Sequence, residues 1–107
     1  MHISIDEAFE KLRNSNSFFT ELFVHGTLAV EIYKPVAKDL QQPHDRDEVY
    51  IVISGTGEFY NDGITCSFAP GDFLFVSAGK EHRFENFTGD FAVWVIFYGP
   101  KGGEARG

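Results

Sequence analysis

The chain has 107 residues, 43% of them apolar, and its 12 Phe, 4 Tyr and 1 Trp supply large buried area per residue, so a disordered chain and a two-domain arrangement are both excluded. Nine Lys and Arg against 16 Asp and Glu leave a formal charge of −7, which argues against a nucleic-acid backbone or an anionic membrane surface as partner. The lone Cys66 rules out an intrachain disulfide and a cysteine-rich zinc site, so any metal must be held by histidine and carboxylate.

Taken from the N-terminus, Ser4 and Glu7 form a capping box, and Ile5, Ala8, Phe9 and Leu12 follow at helical spacing, which predicts a short amphipathic helix over 5–13. Asn14-Ser15-Asn16-Ser17 ends it. From there the chain reads as short strands divided by turn signals, the rhythm of an all-β sandwich or barrel over about 18–99. Phe18 to Val24 and Thr27 to Tyr33 flank the His25-Gly26 turn, and the polar, proline-bounded stretch Pro35 to Pro43 is a loop. A strand is expected from about His44 to Ser54, resuming from Glu58 to Tyr60 before the hairpin turn Asn61-Asp62-Gly63. Ile64 to Phe68, Phe73 to Val76, Glu81 to Asn86 and Phe91 to Tyr98 complete the set, and the glycine-rich tail 101–107 is expected to fray.

Phe73 to Val76 and Phe91 to Tyr98 are apolar at both parities, so both of their faces need cover. One short helix cannot supply all of it, and Phe73, Phe75, Trp94 or Ile96 is expected to meet a second subunit in a homodimer. The run from Phe91 to Tyr98 is also the longest apolar stretch, far short of the roughly 20 residues of a membrane helix. With no basic, then apolar, leader pattern at Met1-His2-Ile3-Ser4, the expectation is a soluble, cytoplasmic protein without a membrane partner.

Of the four histidines, His2 and His25 fall in a terminus and a turn. His44 has company: on an extended chain alternate side chains share a face, so Gln42, His44 and Glu48 can point to one side, and His82 opens a later strand. Two imidazoles and a carboxylate leave coordination positions open, the arrangement of a reactive Fe, Mn, Ni or Zn site rather than a closed structural one. The alternative is a surface His44 paired with Asp45 or Asp47. Tyr50 and Val52 share the parity of Glu48, and Phe84 that of His82, which makes them barrel core or substrate-contacting wall. Arg46 would clamp a substrate carboxylate if it turned inward and is solvated if a bulge turns it out. Cys66, at the parity of Ile64 and Phe68, is expected as a small buried residue.

His44-x3-Glu48-x6-Gly55 resembles the second half of the first cupin motif, and Gly71-x5-Ser77-x-Gly79-x2-His82-x3-Asn86 resembles the second, with Ser77 where the family has proline. The resemblance implies a double-stranded β-helix, or jelly-roll barrel, with the N-terminal helix packed outside. It also implies a divalent metal on His44, Glu48 and His82. The family's first motif histidine falls on Gln42, whose amide oxygen is a weaker ligand, so the implied site is weakened or empty. Three functions stay open on this reading: a metal-dependent enzyme acting on a small organic molecule by oxygenase, isomerase or lyase chemistry, a barrel that binds a small ligand without turnover, and a dimerisation barrel.

Overall fold

The computed structural model describes residues 1–105. Helix α1 runs Ile5–Ser15, two residues beyond the predicted end, because Asn16 takes up the left-handed conformation (φ 54°) that closes the last turn. Ser4 and Glu7 make the expected reciprocal cap. No helix among the described residues is long and apolar enough to cross a membrane.

Eight antiparallel strands follow among the described residues: β1 Phe19–His25, β2 Leu28–Tyr33, β3 Asp47–Ser54, β4 Gly57–Asn61, β5 Ile64–Phe68, β6 Phe73–Val76, β7 His82–Glu85 and β8 Ala92–Tyr98. They form one sheet in the order β1-β2-β8-β3-β6 and a second in the order β5-β4-β7. The Asp62-Gly63 turn between β4 and β5 has positive φ at both residues (49° and 90°), the geometry that matches strand twist in a two-residue hairpin. Gly55 is required for a different reason. A Cβ there would lie 2.5 Å from the Phe91 backbone, and its φ is 84°.

The interior between the sheets is built largely of rings. Phe59, Phe68, Phe84 and Phe91 stack in contact, with successive centroids 4.7–5.6 Å apart, and Tyr50, Val52, Val76, Val93 and Val95 complete the buried cluster. Alternation along β8 then sends Trp94 to the outer face, where it joins Ile53, Leu22 and Ile32 beneath Ala8 and Leu12 of α1. Cover by α1 stops there. On the outer face the cross-strand row Phe75, Val49, Ile96, Val30 carries no helix or strand among the described residues, and Phe73 and Phe75 are 64% and 41% exposed.

Three expectations are corrected. β3 begins at Asp47 rather than His44, so residues 42–46 belong to the loop that delivers the chain to the strand. Cys66 is exposed, because β5 is an edge strand from which only Phe68 reaches the core. The segment expected to fray is docked through Glu104: the Glu104 N–H donates to Asp47 Oδ2 (2.8 Å), the Ala78 N–H to Asp47 Oδ1 (2.9 Å), and the Gly102 N–H to the Asp45 carbonyl (2.6 Å). Burying Asp47 is tolerated because both its oxygens are satisfied. The last two positions of that tail lie outside the described residues.

Candidate metal centre

β3 and β7 lie in different sheets, and the site forms where their first turns face each other across the barrel. Glu48 enters near the start of β3 and His82 at the start of β7, both buried (1% and 2% exposed). His44 reaches them from the loop before β3. One ligand atom from each of His44, Glu48 and His82 lies within 4.8 Å of the others, close to the spacing of ligands held about 2.0–2.2 Å from one ion. The imidazole centroids are 5.3 Å apart, and the edge of Phe97 packs on His44 at 5.2 Å.

Second contacts set the chemistry. The Lys80 carbonyl accepts a hydrogen bond from His82 Nδ1 (2.9 Å), which leaves Nε2 as the nitrogen facing the cluster. Nε2 stands 3.2 Å from Glu48 Oε1 and 3.1 Å from the Tyr50 hydroxyl. Burial disfavours the charged imidazolium, but the Glu48 carboxylate, the Lys80 carbonyl and the field of Asp39 outweigh it, and the His82 pKa is raised above 6.5. Tyr50 is fully buried beside Glu48, which pushes its pKa well above 10 and keeps it a hydrogen-bond donor. Despite its nearness to His82, Glu48 Oε1 accepts no well-aligned hydrogen bond from any described residue. A buried carboxylate oxygen without a donor is costly unless a cation faces it. The donor set of two imidazoles and one carboxylate, with that orphaned oxygen among them, fits a divalent metal.

The amide that touches the cluster belongs to Gln41. Its Oε1 accepts from the Tyr50 hydroxyl (3.0 Å) and lies 3.2 Å from His44 Nε2. Gln42, one residue on, is exposed and lines the rim of a cavity of about 480 Å³ that opens above His44 and Glu48. Glu31, Tyr33, Val95 and Phe97 wall this cavity, and Phe18, Phe19 and Leu40 stand at its mouth. Of the side chains read as substrate-contacting, Val52 and Phe84 lie in the ring-filled core below the cluster, 2% exposed, and do not line the cavity. Tyr50 meets it only through the polar network. Arg46 turns away, donating to the Thr27 carbonyl (2.5 Å) with its guanidinium 5.6 Å from the Phe97 ring centre.

Sequence reading missed Gln41, Asp39 and Glu31. Nothing local marks Asp39, whose partners Tyr33 and Phe84 come from other elements. Glu31 did carry a signal: it is the one charge in the apolar strand Leu-Ala-Val-Glu-Ile-Tyr, at the parity of Tyr33.

The family model for the cupin domain matches residues 29–98. The chain belongs to the cupin domain family. Among proteins of known sequence, this cupin is 38% identical over 63 residues to an uncharacterised protein of Streptomyces coelicolor, a match spanning 59% of this chain and 60% of that relative's length. Among solved structures, a protein of unknown function from Rhizobium leguminosarum superposes with a TM-score of 0.71 at 18% identity, covering 94% of this cupin and 97% of that chain. KdgF from Halomonas sp. gives 0.66 at 19% identity over 78% of each chain. A Cupin 2 conserved barrel domain protein from Salinispora arenicola gives 0.64 at 20% identity, over 76% of this cupin and 74% of that chain. At these identities the likeness is one of fold, and the jelly-roll barrel with a short N-terminal helix is the architecture of this cupin.

Proposed function

We propose that this cupin holds one divalent metal ion through His44, Glu48 and His82 and acts on a small organic molecule lodged in the cavity above them. The observation that carries the reading is the orphaned Glu48 Oε1, 3.2 Å from a His82 nitrogen whose ring is oriented by the Lys80 carbonyl. Three protein ligands leave coordination positions open toward the cavity. When bound, Fe, Mn, Ni or Zn supplies Lewis acidity, or with Fe or Mn oxygen activation, which is the chemistry of oxygenase, isomerase and lyase reactions.

The chain's own residues have separate tasks. Glu48 offsets the metal charge, and the Lys80 carbonyl keeps His82 Nε2 turned to it. Tyr50 keeps its proton and its contact with Gln41. Val95 and Phe97 present apolar surface that excludes water from one side of the ligand.

One feature favours a second reading, a barrel that binds a ligand without metal or turnover: the raised pKa of His82 favours an imidazolium, whose Nε2 at 3.2 Å would balance the Glu48 charge without any ion. Metal analysis of untagged protein purified without chelator, followed by thermal melts with Mn, Fe, Ni and Zn, separates the two. The metal reading expects stabilisation of about 2.7 kcal/mol at a hundredfold excess over Kd, lost in His82→Ala. Unchanged melts with all four metals, in protein shown to be metal-free, would leave the second.

The uncovered row Phe75, Val49, Ile96, Val30 supports a homodimer, with a second copy supplying the cover that α1 does not reach.

A further inference from the structure

Glu31 is a half-buried carboxylate in the wall of the cavity, and no described residue donates a hydrogen bond to it or pairs with it. Its surroundings make that costly. Glu21 is its direct cross-strand partner on β1, and Glu48 lies near enough to act on it by charge; like charges so placed repel. Burial and these two carboxylates raise the Glu31 pKa above 4.5, opposed by Arg46. Arg46 acts on Glu31 only by its charge and makes no ion pair with it; its guanidinium is bonded to the Thr27 carbonyl and lies over Phe97. Lys38, at the rim, forms no ion pair with it.

Aromatic rings surround the same space. Tyr33 and Phe97 line the wall, and Phe18 and Phe19 stand 58% and 51% exposed at the mouth. A carboxylate lacking a donor, in a wall shared with aromatic rings, suits a positively charged nitrogen, which gains a charge-assisted hydrogen bond and, over a ring face, cation–π attraction as well. A neutral hydroxyl gains only the weaker bond, and an anion meets repulsion from Glu31, Glu21 and Glu48.

We propose that Glu31 selects the ligand, and that the molecule lodged between it and the His44, Glu48 and His82 cluster carries a primary or secondary ammonium group that pairs with the Glu31 carboxylate. This rests on the cavity being the ligand site, but not on the cluster holding metal. The ammonium end faces β2, and the remainder of the ligand extends along Val95 and Phe97 toward His44.

Amide NMR of the full chain tests it, with cyclohexylammonium, cyclohexanol and cyclohexanecarboxylate as probes that share one ring and differ in charge. Titrations are run on protein stripped with EDTA and freed of it, and repeated with one equivalent of Zn added. Saturable shifts of the Glu31, Tyr33 and Phe97 amides are expected with cyclohexylammonium, at an affinity about tenfold or more above that of cyclohexanol, and none with the carboxylate in the metal-free protein. Glu31→Gln should bring the ammonium down to the affinity of the alcohol. Equal binding of ammonium and alcohol to the unmodified protein, no saturable ammonium shift at these amides, or a well-folded Glu31→Gln variant that binds the ammonium undiminished would each overturn the proposal. The ammonium-to-alcohol comparison needs no variant, so it decides the matter even if Glu31→Gln misfolds. Failure of the metal reading shows elsewhere, as an absence of Zn-induced shifts at the His44 and His82 rings in the EDTA-stripped protein.

Discussion

Asp39 sets which way the Gln41 amide faces: Gln41 Nε2 donates to Asp39 Oδ2 at 2.8 Å, so Gln41 Oε1 is turned to Tyr50 and His44. The same buried carboxylate accepts from the Tyr33 hydroxyl (2.5 Å), the Phe84 N–H (2.8 Å) and the Gln41 N–H (3.2 Å). One loop residue thus ties β2, β7 and the loop before β3 to the His44, Glu48 and His82 cluster.

Asp39→Ala should therefore destabilise the fold by about 3 kcal/mol, because it leaves the buried Phe84 N–H without a partner and frees the Tyr33 hydroxyl. Urea unfolding followed by tryptophan fluorescence reads this. A change below about 0.5 kcal/mol would show that the loop is held by other means.

The two neighbouring glutamines should part in their effects on metal. Gln41→Ala removes the acceptor of the Tyr50 hydroxyl and the amide oxygen beside His44 and should weaken metal binding several-fold, whereas Gln42→Ala, at the exposed rim, should alter it less. Zn titration calorimetry on both variants checks the order, and a larger effect from Gln42 would show that its amide swings in as a ligand.

Acid and metal should pull His82 in opposite directions. Its pKa is raised on folding, so in metal-free protein the charged imidazolium contributes stability that is fully present below pH 6.5 and is lost as pH climbs through the raised value. Metal needs Nε2 unprotonated, so the gain in melting temperature on adding Zn should grow between about pH 6 and about pH 8 while the EDTA-treated protein loses stability. His82→Gln should abolish both trends, and a parallel pH dependence with and without Zn would contradict the assignment.

Glu31→Gln should stabilise the ligand-free protein, by up to about 1 kcal/mol, since it removes a half-buried charge that faces Glu21 and Glu48. Thermal melts at neutral pH measure it. A destabilised variant would mean that the carboxylate has a protein partner in solution.

The outer row predicts its own variant. Phe75→Asp puts a charge on the uncovered face, at its β6 end, and should convert a dimer to a monomer in sedimentation velocity at micromolar concentration, with the barrel still folded. A wild-type protein already monomeric at that concentration would remove the basis for the homodimer.

Local sequence rules were enough for much of this molecule. The Ser4 cap, the Asn61-Asp62-Gly63 hairpin and the strands Ile64–Phe68 and Phe73–Val76 follow from side-chain periodicity and turn chemistry, which act within a few residues. His44, Glu48 and His82 were legible because motif spacing encodes where a jelly roll brings β3 and β7 together. Alternation by itself misassigned their neighbours. It presumed a strand from His44 and so placed Gln42 in the cluster, but the strand starts at Asp47, and in an irregular loop the face of a side chain is set by its bonds, here those of Gln41 to Asp39 and Tyr50. Tertiary structure alone decided that Val52 and Phe84 are packing and that Glu31 and Tyr33 are wall. Which end of a barrel is filled by rings and which stays open depends on side chains from many strands meeting at one depth, and no single stretch of sequence holds that information.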